Sequence, residues 1–219
     1  MVLADGLWRT VAEHTLALML SAARRVPQAD AAMRAGLWRD HETLKARFSG
    51  LDLQGRTLGI LGLGQIGREL AEMVAGFRMR VLYHDLRRQE DAERRLGVEY
   101  MSFDALLASS DYLCVLVPLN EETHGLLGPA EFAGMKRGCV LVNTARAGIV
   151  DPGALIAALD DGSVSAAGLD VFWKEAQDPP AALMENPRVV MTPHLGGSTF
   201  DCDMSLIRPI VGSQDWQAT

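Results

Sequence analysis

Basic charge is in short supply in this chain of 219 residues: 21 lysines and arginines stand against 28 aspartates and glutamates, a formal net charge of −7. Binding nucleic acid without regard to sequence takes a basic face that displaces counterions from phosphates, so the balance argues against that class of partner. The pairs Arg87–Arg88 and Arg94–Arg95 have acids among them and read as a solvated helix face. Cysteine is scarce as well. Cys114, Cys139 and Cys202 have no metal-ligand spacing, so neither a metal site nor a disulfide framework is expected. Two of them sit inside apolar runs, as buried free thiols do, a usage that fits a reducing cytoplasm. No stretch approaches the roughly 18 apolar residues of a membrane span. The run TLALMLSAA follows Asp5, Glu13 and His14 without a basic start, so it is not read as a secretory leader. Repeats and low-complexity tracts are missing too.

What is present is apolar content, 48 % of the chain, ample for a packed core. The length suits one large domain, or one domain with an appendage. Val11, Leu16, Leu20 and Ala23 recur at helical spacing, and Arg24–Arg25 and then Pro27 read as the stop. A second helix is expected over 29–37, ending near Trp38. The first strong strand is TLGILGL (57–63), followed by a helix over 65–77, a strand at 80–85, a short polar helix over 90–96 and a strand at VEYM. Ser102 caps the next helix, YLCVLVPL (112–119) reads as a strand apolar on both faces, and a helix falls within 129–137. CVLVNTA (139–145) is a strand. The helix after it has Asp151 as cap, Pro152 in its first turn and Gly162 as its stop. SAAGLDVF and RVVMT supply two last strands. Strands alternating with helices predict an α/β fold with a mainly parallel, doubly wound sheet. Residues 1–50 are expected to form a helical arm of the same domain, 51–198 its main body, and 199–219 an atypical, disordered or weakly docked tail.

GLGQIG, 62–67, is G-x-G-x-x-G between an apolar strand and an amphipathic helix. Alone the pattern is weak; in this context it reads as a Rossmann dinucleotide loop. Gly62 makes the tight turn, Gly64 lets a pyrophosphate approach the backbone, and Gly67 lets helix pack on strand. The amides of Gln65 and Ile66 face the phosphates at the positive end of the helix. Asp85 ends the second strand, 18 residues beyond Gly67. A carboxylate there accepts from a ribose and repels a 2′-phosphate, favouring NAD over NADP. Arg87–Arg88 leave the other cofactor open, because they can hold a phosphate if Asp85 turns aside.

Three ionisable residues follow strands at the edge where such sheets bind ligands: Arg146, Glu175 and His194. An arginine fork holds a carboxylate and polarises a carbonyl, a histidine exchanges a hydroxyl proton near neutral pH, and an acid beside it fixes the tautomer. Asp170, also at a strand end, is placed to hold a nicotinamide carboxamide. Singly, each has an ordinary reading: a surface ion pair for Arg146, a solvated loop acid for Glu175, a strand-end turn for His194.

GLGQIG, NTARAGIVD, GLDVFWKE and TPHLGG, in this order, resemble the NAD-dependent D-2-hydroxyacid dehydrogenases from about Val11 to Ser198. The resemblance implies a catalytic set of Arg146, Glu175 and His194, with the substrate carboxylate on the arginine and the histidine exchanging the proton as hydride moves to or from NAD. It implies cofactor contacts from Gln65, Ile66, Asp85, Val117, Pro118, Thr144, Ala145, Asp170, His194, Gly196 and Gly197. The helices around Trp38 are similar to the family's dimerisation segment, implying a homodimer. Ala147 stands where glycine is usual and Ala176 where proline is usual, both mild departures. Family members carry a separate flavodoxin-like substrate lobe and a closing helix, which these residues do not match. Two expectations follow: a dehydrogenase of small 2-hydroxy or 2-oxo acids, as a piece of a longer protein or completed by a partner chain, or a silent NAD-binding scaffold or sensor like the family's corepressor branch.

Overall fold

The computed structural model describes residues 7–173, 178–200 and 202. The described chain runs α1 (Leu7–Arg24), α2 (Val26–Arg34), α3 (His41–Phe48), β1 (Thr57–Leu61), α4 (Gln65–Met73), β2 (Arg80–His84), α5 (Glu90–Leu96) and β3 (Glu99–Tyr100). It continues through α6 (Phe103–Ser109), β4 (Tyr112–Val115), α7 (Pro129–Gly134), β5 (Cys139–Asn143), α8 (Pro152–Asp161), β6 (Val164–Leu169), α9 (Ala181–Met184) and β7 (Val189–Met191). The strands form one sheet in the order β3-β2-β1-β4-β5-β6-β7, and every pairing is parallel. The order reverses between β1 and β4, and the crevice at that reversal is where such sheets hold nucleotides.

Period-two alternation sorts the strand residues between two cores. Leu58, Ile60, Val81, Tyr83, Tyr112, Cys114, Val140 and Val142 face one side, under α1 and α4. Leu61, Leu82, Leu113, Val115, Leu141 and Leu169 face the other, under α6, α7 and α8. A parallel sheet is covered on both faces, and for that reason its strands read as unbroken apolar runs. The helix ends follow local chemistry. Asp151 accepts the N–H of Ala154 at 2.7 Å, and Gly162 ends α8 in the left-handed region (φ 78°). Ser102 caps α6 by accepting the N–H of Ala105 at 3.4 Å.

Several sequence expectations change. Pro27 does not simply stop a helix: Arg25 in the left-handed conformation breaks the chain, and Pro27 lies in the first turn of α2, where its missing N–H costs nothing. The buried stripe of α1 is Ala12, Thr15, Leu18, Met19, Ala22 and Ala23; of the expected Val11, Leu16, Leu20 and Ala23, only Ala23 is fully buried. Small residues bring this helix against α4, β5 and β6, and Leu16 and Leu20 fall to its flanks. The segment 1–50 therefore divides. Its described first helix is core, whereas α2 buries only Ala32 and α3 buries nothing, leaving Trp38 61 % exposed. The helix expected over 29–37 is α2, and α3 and the short α9 had no sequence forecast. β4 ends at Val115, four residues before the apolar run does. Of the expected tail, 201 and 203–219 lie outside the described residues.

Candidate functional site

β1 ends at Leu61, and the chain turns through Gly62, Leu63 and Gly64 into α4. Gly62 has φ 99°, and a Cβ there would lie 2.9 Å from the backbone nitrogen of Val117. The turn is thereby pressed against the segment that leaves β4. At Gly67 a Cβ would come 2.4 Å from the carbonyl oxygen of Gly62, so helix and turn touch at that point. Nothing lies within 4 Å of a Cβ built on Gly64. That glycine fronts open space, with Gln65 and Ile66 opening α4 beside it. A diphosphate fits there against main-chain N–H groups at the positive helix end.

Asp85 stands at the lip of this turn. Its Oδ2 accepts the N–H of Leu63 at 2.8 Å and the amide of Gln89 at 3.4 Å. Its Oδ1 has no hydrogen-bond partner among the described residues, leaving an acceptor for a ribose hydroxyl. Open backbone at Gly64 and a fixed acid beside it are what a dinucleotide requires, so these residues fit the group.

The neighbouring strands place the ionisable residues. Asn143, buried at the end of β5, shapes the next turn: its Oδ1 accepts the N–H of Ala145 at 3.0 Å, and its Nδ2 donates to the carbonyl of Arg146 at 3.0 Å. Thr144 is buried against α1, its hydroxyl 2.7 Å from that of Thr15. The Arg146 side chain is exposed and folds back to donate to the carbonyl of Ala145 at 2.7 Å. Val117, half-buried, and Pro118, exposed, border the turn after β4.

Asp170, after β6, is wholly buried and gathers the chain around it. Its Oδ1 accepts from the Thr192 hydroxyl at 2.5 Å, the Leu195 N–H at 2.8 Å and His14 Nε2 at 3.2 Å. Its Oδ2 accepts the Gly196 N–H at 2.8 Å. Burial alone would raise this carboxyl. The bonds from His14, Thr192, Leu195 and Gly196 outweigh burial and hold it below the ordinary carboxylate range. His14 Nε2 also lies 3.0 Å from the Thr192 hydroxyl, whose own hydrogen points to Asp170. His14 is therefore the donor to both.

The result is a clamped turn. His194 has φ 58°, left-handed and uncommon for a residue with a side chain, and its N–H returns to the carbonyl of Thr192 at 3.0 Å. Two following N–H groups locked onto Asp170 sustain that conformation and present the imidazole outward, exposed. Gly196 is buried, with Asp170 Oδ2 only 3.1 Å from where its Cβ would lie, and a Cβ on Gly197 would meet Leu7 at 2.8 Å. At Gly196 the close neighbour is thus the Asp170 carboxylate, and at Gly197 the end of a side chain of α1.

Arg146, Asp170 and His194 thus follow three adjacent parallel strands, β5, β6 and β7, at the edge that carries the glycine turn. Glu175 lies outside the described residues. The sequence reading missed His14 and Asn143 as site-builders. The available signal was the polar pair His14–Thr15 interrupting an apolar helix. Among the described residues no group of three or more His, Cys, Asp or Glu is arranged to hold a metal ion, and no helix is long and apolar enough to cross a membrane.

The family model described as D-isomer specific 2-hydroxyacid dehydrogenase, NAD binding domain, matches residues 16–196. A D-3-phosphoglycerate dehydrogenase of Archaeoglobus fulgidus is 42 % identical over 90 % of this chain and 36 % of its own length. A glyoxylate/hydroxypyruvate reductase B of Yersinia enterocolitica is 43 % identical over 89 % of this chain and 60 % of its own. The chain therefore spans roughly a third to three fifths of these relatives. Among solved structures, a glyoxylate reductase from Paecilomyes thermophila superposes with a TM-score of 0.83 at 38 % identity, covering 91 % of this chain and 59 % of that one. The holo form of Rhodotorula graminis D-mandelate dehydrogenase gives 0.83 at 35 % identity, covering 91 % and 59 %. With this match lying on the glycine turn, Asp85 and the three strand ends, the chain belongs to the D-isomer specific 2-hydroxyacid dehydrogenase family and comprises its NAD-binding domain.

Proposed function

We propose that this chain supplies the cofactor-binding half of an NAD-dependent dehydrogenase acting between small 2-hydroxy and 2-oxo acids. The placement of Arg146 and His194 after adjacent strands, beside a turn that fits a dinucleotide, carries the reading. NAD bound there would supply or accept the hydride. Arg146 leaves its bond to Ala145 and grips the substrate carboxylate in two charge-assisted bonds, polarising the neighbouring carbonyl. His194 gives its proton to the carbonyl oxygen in reduction and takes it from the hydroxyl in oxidation, with Glu175 fixing its tautomer. The N–H groups of Gln65 and Ile66 hold the diphosphate and Asp85 Oδ1 the ribose. Val117, Pro118, Thr144, Ala145, Gly196 and Gly197 border the nicotinamide end. Asp170 has only Oδ2 with capacity left for a carboxamide hydrogen.

Relatives named as glyoxylate or hydroxypyruvate reductases support substrates of that size. The exposed Trp38, Leu37 and Met33 on the segment 26–48 support a homodimer, and the buried free thiols a reducing cytoplasm. The test follows NADH oxidation with glyoxylate and hydroxypyruvate, comparing the natural sequence with His194→Ala. Turnover that disappears in the variant while NADH still binds is the expected result. NADH binding with no turnover on any 2-oxo acid would favour the silent scaffold instead.

A further inference from the structure

Beyond Asp85 the chain carries a cationic rim. Arg68, Arg87, Arg88 and Arg94 line an open cavity of about 560 Å³ together with Gln89, Ala92 and the acids Glu90 and Asp91. A 2′-phosphate on a bound cofactor would find such a rim attractive, yet the cations are not equally available. Arg68 donates to Gln89 Oε1 and to the carbonyl of Leu63. Arg94 pairs with Asp91 and Glu90, all on a fully solvated face. Arg87 has no ion pair among the described residues.

Arg88 is held differently. Its Nε lies 2.9 and 3.2 Å from the two carboxylate oxygens of Glu93, and its Nη2 lies 2.8 Å from Oε2. An exposed ion pair ordinarily contributes little, because two long side chains must be ordered to make it. Here one partner is already ordered. The Glu93 side chain is only 16 % exposed and accepts the Tyr83 hydroxyl at 2.8 Å. Tyr83 is wholly buried on β2, and its oxygen also accepts the N–H of Gln89 at 2.7 Å. A line of contacts thus runs from the core through Tyr83 and Glu93 to Arg88.

We propose that Glu93 is a specificity-determining residue: it neutralises Arg88 and holds it away from the adenosine 2′ position, so that discrimination against NADPH rests on Glu93 together with Asp85. The inference rests on the reading of the glycine turn as an NAD site. Glu93 is a positioning residue, acting only through Arg88.

The test titrates the purified chain separately with NADH and NADPH, following nicotinamide fluorescence, for the natural sequence, E93Q, E93A, D85S, D85S/E93A and D85S/E93A/R88M. The natural sequence should prefer NADH. E93Q and E93A should tighten NADPH several-fold and leave NADH unchanged, E93A the more because it removes the acceptor altogether. D85S/E93A should bind NADPH roughly tenfold tighter than D85S, and R88M should abolish that gain. Equal effects on both cofactors in the Glu93 variants, no effect on NADPH, or a gain that survives R88M would each overturn the inference while leaving NADH binding intact. A natural sequence that binds neither cofactor would overturn the NAD reading and this inference together.

Discussion

His14 in α1 and Asp170 at the end of β6, 156 residues apart in sequence, are joined by a hydrogen bond of 3.2 Å. Asp170 in turn anchors the N–H groups of Leu195 and Gly196, so α1 takes part in holding the turn that carries His194. His14→Ala removes a donor from a buried carboxylate and is expected to cost about 2 kcal/mol. Thermal unfolding reads the loss, and faster hydrogen exchange at the Leu195 and Gly196 amides localises it. Unchanged exchange there would show that α1 does not support the turn.

The carboxyl of Asp170 is held below its ordinary value, so the sign of its pH effect is fixed. A depressed carboxylate contributes stability that is present above the unfolded value of about 4 and is lost as pH falls through the lower folded value. Asp170→Asn should therefore be less stable than the natural chain near neutrality, by about 3 kcal/mol. The gap should close in the acid range below about pH 4. Melting curves of both proteins from neutral pH into acid check this. A gap that widened in acid would contradict it.

Two glycines of the loop, Gly67 in contact and Gly64 open, separate folding from binding. Gly67→Ala puts a methyl 2.4 Å from the Gly62 carbonyl and should cost about 3 kcal/mol by overpacking. Gly64→Ala meets nothing within 4 Å and needs no left-handed backbone, so it should melt like the natural chain while losing NADH affinity through obstruction of the diphosphate. Calorimetry and a cofactor titration on the same two variants make the comparison.

Thiol reactivity should be uneven. Cys114 and Cys139 are wholly buried, burial raises both thiols, and Cys139 is pushed up to about 12. Cys202 is half-buried. A thiol reagent should modify one cysteine per native chain quickly and all three after denaturation. Three fast thiols in the native protein would contradict the packing of β4 and β5.

How far the residues announced their structure depended on how local the cause was. The bounds of α5 and the ends of α8 could be read, because acids in a first turn, an Asp cap and a left-handed glycine act within one helical turn. The break between α1 and α2 could not. Pro27 is compatible with a stop or a start, and the left-handed Arg25 that decides it is imposed by where both helices pack. The exact stripe of α1 was missed for a related reason, since which of its small residues turn inward depends on α4 and the sheet beneath. Arg146 and His194 were legible as strand-end residues, but Asn143 and His14 were not. Their partners lie on other elements.

The sequence by itself determined the α/β class, the parallel order of alternating strands and helices, the glycine turn and the acid that follows it. These arise from period-two and period-3.6 patterning and from backbone sterics, all of which act along the chain. Only the tertiary structure decided that Asp170 spends most of its bonding capacity on the His194 turn, that α1 belongs to the core, and that Arg88 is tied to Glu93. Each of those depends on which polar groups meet where water is excluded, and burial of that kind exists only after the distant segments have packed together.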